Sequence, residues 1–262
     1  MQGMYLIEPQ HCKALFDGVA EFYEYSSSAD IALAMWLSPD GVNGMCAGMG
    51  THKGPPEDGK KAWQKLREAT PIAMDMMAAV PLLDFIHGQD EGFCNVPGNY
   101  WTSIPFSKKA IFSDKGYEWI ESVNATRPGG GIIVLEPWFG ADKAGRAVTK
   151  KGGREDATAF GARSVEFTVM LIAMFDPSSK EARDEAVSWV KAGKAAAENL
   201  SMTTKEAQEY SGYTSAEDGI TPISSSARLR KIKTKWDPNN IFARNQLNIL
   251  PEGVDGSATA EF

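Results

Sequence analysis

The sequence has 262 residues, of which 43% are hydrophobic and 23% charged, with a net charge of -7 and an isoelectric point near 5.1. That composition suits a globular protein whose core needs no staples, and the acidic balance argues against nucleic acid or an anionic membrane as the main partner. No stretch approaches ~18 uninterrupted apolar residues, so no membrane span is expected, and the opening MQGMYLIEPQ lacks the charged and apolar regions of a signal peptide.

The predicted elements run in order. GMYLIEP reads as a strand, and Pro9 opens a helix to about Glu24 with Leu15, Val19 and Phe22 on one face. DIALAMWLSPDGVNGMCAGMG reads as a hairpin turning at Pro39-Asp40-Gly41. PPEDGKKAWQKLREA is a helix, IAMDMMAAV a strand, PLLDFIHG a short helix ended by Gly88, and NYWTSIPF a strand. A helix over about Ser113 to Val123 leads through a glycine turn into the strand IIVLEPWF. A charged, glycine-rich loop, GADKAGRAVTKKGGREDATAF, precedes the long strand SVEFTVMLIAMF. Pro177-Ser178-Ser179 then cap a helix to about Leu200. After a polar stretch come a basic helix from Ser226 to Trp236, whose lysines and arginines form a solvated face, and a turn at Asp237-Pro238. The predicted class is α+β: a mostly antiparallel sheet covered on one face by helices. Residues 1–250 form one domain, and 251–262 a disordered tail.

Cys12, Cys46 and Cys94 are odd in number and widely spaced. They describe neither a disulfide framework nor a zinc site, so reduced thiols and a cytoplasmic location are expected. The triplets at Asn124 and Asn199 match the N-glycosylation pattern, which carries meaning only along a secretory route. No Ser-His-Asp set, HExxH, CxxC or P-loop is present, so hydrolase, zinc and kinase readings are weak. No metal site is expected.

Three segments carry a resemblance to a known family. RLRKIKTKWDPNNIFARNQLNILP holds Arg-Leu, a lysine-rich helix, an aromatic-Asp-Pro turn, Phe and Asn-Gln before a proline. ATAFGAR spans Ala157 to Arg163, and AQEYSGYTSAED keeps Tyr210 and Tyr213. Together they resemble the berberine bridge enzyme-like FAD-linked oxidases of the vanillyl-alcohol oxidase fold group, in their substrate domain and C-terminal segment, residues 226–250. The resemblance implies that domain's fold. It places the family's flavin mainly on an N-terminal domain, and GMYLIEP resembles the start of the substrate domain. None of His11, His52 and His87 sits in a segment like the family's flavin-attachment motif, and no segment offers the N–H cradle a dinucleotide's phosphates need. Met170 stands where the family often has Glu or Gln, Gly161-Ala162 replaces a Pro-His, and PISSS replaces the family's Tyr-Gly-Xaa-Asn-Tyr.

Period 2 divides the long strand. Phe167, Val169, Leu171, Ala173 and Phe175 form the face expected under helices. Glu166, Thr168, Met170, Ile172 and Met174 form the face that the resemblance turns toward substrate. Ile132, Val134, Glu136 and Trp138 share a face of their strand, while Tyr100 opposes Trp101 on another. Which face of each strand lines a cavity is open at this point. The candidate catalytic residues are Glu136, whose apolar neighbours would desolvate it, with Tyr210 and Tyr213 as donors and Arg163 as an oxyanion partner. The candidate substrate-binding residues are Trp138, Thr168, Met170, Ile172, Tyr100 and Trp101. Each also has a structural reading: Glu136 paired with a lysine at a strand end, the tyrosines as packing, Arg163 in an ion pair.

Three functions follow. The first is a cofactor-free enzyme performing a cyclisation, a Diels-Alder-type cycloaddition or a double-bond isomerisation of a reactive specialised metabolite. The second is a fragment or subunit of an FAD-dependent oxidoreductase of the resembled family. The third is a binding protein for a small apolar molecule. A sheet face left bare would also allow pairing with a second copy, a homodimer.

Overall fold

Seven strands form one sheet in the order β4-β1-β3-β2-β6-β7-β5. They are β1 (Gln2–Ile7), β2 (Asp30–Trp36), β3 (Cys46–His52), β4 (Met74–Asp75), β5 (Gly98–Phe106), β6 (Gly131–Pro137) and β7 (Phe167–Phe175). The structure, a computed structural model, describes residues 1–25, 30–37, 44–81, 83–84, 87, 98–137, 165–200, 203, 226–242 and 249–253. All strand pairs are antiparallel. The helices are α1 (Cys12–Tyr25), α2 (Pro56–Ala69), α3 (Lys108–Ile111), α4 (Asp114–Ala125), α5 (Lys180–Asn199) and α6 (Ser226–Trp236). The α+β class expected from the sequence is the one observed.

One face of the sheet carries the core. Tyr5, Ile7, Ala34, Trp36, Ile133, Leu135, Phe167, Val169, Leu171 and Ala173 are buried there, in one cluster with Leu15, Phe16 and Phe22 of α1, Trp63 of α2 and Trp119 of α4. The long strand's period 2 therefore reads as expected, with Phe175 half-buried at its end. Helix α5 crosses β5 and β7 at close range. A Cβ at Gly193 would lie 2.6 Å from the Leu171 Cδ1 atom, so any larger residue here requires the Leu171 side chain to shift. Two indole N–H groups tie α4 to α5: Trp119 donates to the Gly193 carbonyl (3.1 Å) and Trp189 to the Val123 carbonyl (3.0 Å). Buried polar atoms satisfied in this way stabilise the crossing instead of opposing it.

Helix starts follow the sequence signals. Ser113 caps α4 by accepting from Gly116 N at 3.1 Å, and Ser179 caps α5 by accepting from Ala182 N at 3.2 Å. Ser179→Ala is expected to lower stability by about 1 kcal/mol, seen as a lower denaturant midpoint at unchanged slope.

Several expectations are corrected. Pro9 opens a 3-10 turn, Pro9–His11, before α1 begins at Cys12. Only Met74–Asp75 of IAMDMMAAV is a strand, because β4 is an edge that pairs with β1 alone. A separate short helix, α3, precedes α4. The hairpin turn at 39–41 and the tail beyond 253 lie outside the described residues. Cys12 and Cys46 are a disulfide, with Cα atoms 5.7 Å apart. The expectation of reduced thiols missed it because α1 folds back over the start of β3, which brings together two cysteines 34 residues apart in sequence. No described helix is long and apolar enough to cross a membrane.

The C-terminal helix departs most. A C-terminal helix commonly closes a domain by packing an apolar face on its core. Instead Trp236 and Phe242 are each 75% exposed and Ile241 78%. The turn after it is held internally: the Asp237 carboxylate pairs with Lys233 and accepts from Ile241 N at 2.7 Å and Phe242 N at 3.0 Å. The Lys233 bond, and then the two N–H groups, hold that carboxyl below its ordinary value. A depressed folded value gives stability that is present above the unfolded value and lost as pH falls through the folded one. Acidification should therefore loosen this turn before the core, read from Trp236 emission, and Asp237→Ala should abolish that pH dependence.

Candidate active site

The second sheet face is defined by register. Glu136 lies opposite Thr168, Val134 opposite Met170 and Ile132 opposite Ile172 across β6 and β7. On the other side of β7, Thr168 faces Pro105, Met170 faces Ser103 and Ile172 faces Trp101. Met35 of β2 faces Val134. These side chains form one continuous patch, since opposite residues on a pleated sheet stand about 5 Å apart at Cβ. Among the described residues no helix covers it. The patch is apolar and rich in methionine, a surface that adapts to an organic ligand.

Two polar atoms on this patch are buried without a hydrogen-bond partner among the described residues: Glu136 Oε2 and Ser103 Oγ. Thr168 Oγ1 between them donates to the Ile104 carbonyl at 3.3 Å. Burial pushes the Glu136 carboxyl above its ordinary value of 4.5, because a desolvated carboxylate loses water's stabilisation of its charge. No described lysine or arginine pairs with it. An unpartnered carboxylate on a central strand can take a proton from a ligand's O–H, N–H or C–H group.

The structure brings Glu136, Thr168, Met170, Ile172 and Trp101 to one face. Tyr100 is corrected: it lies on the helix side, 4% exposed, with Lys191 of α5 5.8 Å from its ring centroid. Adjacent strand residues point to opposite faces, so Tyr100 and Trp101 cannot both line one patch. Trp138, Arg163, Tyr210 and Tyr213 lie outside the described residues. Ser103 and Met35 belong to the patch and escaped the sequence reading. Period 2 groups Ser103 with Trp101, but only the register sets it beside Met170.

The fold and patch define a layered α+β domain with one face clad by helices and the other offering an isolated acid–base group. The berberine and berberine like family model matches residues 224–249. Among solved structures, the berberine bridge enzyme of Eschscholzia californica superposes with a TM-score of 0.66 at 14% identity, covering 97% of this chain and 55% of that one. The Physcomitrella patens berberine bridge enzyme-like 1 protein gives 0.68 at 15%, covering 96% and 54%. The grass pollen allergen Phl p 4, described as having glucose dehydrogenase activity, gives 0.62 at 15%, covering 95% and 54%. No curated protein sequence matches the chain. The resemblance read from the sequence is thus supported by the matched C-terminal segment and by a shared fold, and the chain spans about half the length of these solved relatives.

The resembled family's flavin can be tested against the patch. Its methionines and Trp101 suit the face of a flat ring, and Glu136 suits a reacting group beside it. Its described residues include no lysine or arginine, so nothing there answers a pyrophosphate. The patch fits the ring-and-substrate side of such a cofactor and not its phosphate end.

Proposed function

We propose that this chain is the substrate-binding portion of an FAD-dependent oxidoreductase of the berberine bridge enzyme-like type. The observation that carries the reading is the apolar sheet face that no described helix covers, with the buried Glu136 Oε2 unpartnered among the described residues, in a chain that matches about half of each solved relative. The exposed Trp236, Ile241 and Phe242, inside the matched segment, support it. Apolar side chains so exposed in a family segment suit a surface that further protein covers.

Within this reading the ligand lies on the apolar patch. Trp101, Ile172 and Met170 exclude water and orient it, and Ser103 donates to it. Glu136 takes the proton from the substrate's O–H or N–H group, the electron pair left behind forms the double bond to the neighbouring carbon, and the C–H bond of that carbon breaks with loss of hydride. A flavin, when bound, would supply the hydride acceptor. Desolvation strengthens this carboxylate as a proton acceptor.

A second reading, a cofactor-free cyclase or isomerase, rests on Met170. It occupies mid-strand on the patch, where the family often places Glu or Gln. Orientation and a few hydrogen bonds can accelerate such reactions.

The visible spectrum of the protein isolated from the cells that make it separates the two. A flavin band bleached by a reducing substrate, with (S)-reticuline and glucose as first probes because solved relatives are described with them, supports the oxidoreductase. A colourless protein that cyclises a polyene probe under anaerobic conditions overturns it in favour of the second reading.

A further inference from the structure

Two sequence features remain outside the site: the cysteines and the glycosylation triplets. Cys12 and Cys46 are both buried and joined. Disulfides of this structural kind persist in oxidising compartments and are rare where glutathione keeps thiols reduced. The cytoplasmic expectation rested in part on reduced thiols, and the pair removes that part. The same compartment gives the Asn-Xaa-Ser/Thr triplets a meaning they lacked in the sequence alone.

The two triplets differ in the fold. Asn124 sits in the last turn of α4, half-buried. Its Oδ1 is buried without a partner, its carbonyl accepts from Arg127 N, and Thr126 Oγ1 is directed back to the Ser122 and Val123 carbonyls. That half-buried side chain is less accessible to a transferase than one at an exposed helix end. Asn199 is the last residue of α5 and exposed. Its neighbour Leu200 is 38% exposed, an apolar surface that a glycan would cover.

We propose that this protein matures in an oxidising secretory compartment, where Cys12 and Cys46 pair and Asn199, not Asn124, carries an N-linked oligosaccharide. In the first step two thiols lose two protons and two electrons to a disulfide oxidoreductase of that compartment. In the second the Asn199 amide nitrogen forms a bond to the anomeric carbon of an oligosaccharide. The carbon–oxygen bond to a lipid diphosphate breaks, the amide gives up a proton, and the lipid diphosphate leaves.

The test uses the protein isolated from the cells that make it. Unfolded without reductant, it should take up iodoacetamide at Cys94 and at neither Cys12 nor Cys46, and take it up at all three after reduction. Amidase removal of N-glycans in heavy-oxygen water should convert Asn199 to labelled Asp and leave Asn124 unlabelled. Asn199→Gln and, independently, the sequon variant Ser201→Ala should each remove the glycan mass while the chain stays folded. Alkylation of Cys12 or Cys46 without reduction overturns the compartment. A bare Asn199, or label at Asn124 in its place, overturns the acceptor assignment.

Discussion

Glu136→Gln is expected to lower turnover by about 10²–10⁴-fold, the range for loss of a general base, with little change in KM. The side chain keeps its shape and its place opposite Thr168, so binding to the apolar patch persists while the proton acceptor is gone. A second readout needs no substrate. Burial raises the folded Glu136 above its ordinary value of 4.5. Between the unfolded value and the raised one, the folded protein holds the proton and the unfolded chain has released it. Stability contributed by this group is thus full below the unfolded value and falls as pH rises through the folded value. The glutamine variant has no such loss. Its unfolding midpoint relative to the parent should climb with pH across that window and level off above it. A flat difference, or turnover unchanged within a factor of two, would remove Glu136 from the site.

Removing the Cys12–Cys46 bond has the second largest expected effect. The bond closes a 34-residue separation, for which loop-closure entropy gives about 4 kcal/mol. That is a large share of a typical total of about 5–15 kcal/mol. The Cys12→Ala, Cys46→Ala double variant should therefore show a lowered denaturant midpoint and a larger slope, because its unfolded chain is less compact. The parent treated with reductant should match it. Alanine is the better choice than serine, since both sites are buried and a hydroxyl there would go unpaired. A midpoint that does not move would show that the bond constrains nothing in the unfolded chain.

The sequence was read well where the signal is local. Ser113 and Ser179 mark helix starts through their own side chains. The alternation in SVEFTVMLIAMF separates Leu171 from Met170 because a strand turns successive residues to opposite faces. Tyr100 was misassigned for a related reason. Alternation says that Tyr100 and Trp101 diverge, and only the pairing of β5 with β7 says which of them meets the helices.

By itself, then, the sequence determined the α+β class, the positions of the main strands and helices, the family resemblance of the C-terminal segment, and Glu136 as the carboxylate to watch. These depend on short-range spacing and on residue chemistry. Tertiary structure alone decided that Glu136, Thr168, Met170 and Ser103 share one sheet face that no described helix covers, that Cys12 meets Cys46, and that Trp236 stands in solvent. Each of these depends on which distant segments pair, and register and helix docking are set by the packing of the whole core, which no local pattern encodes.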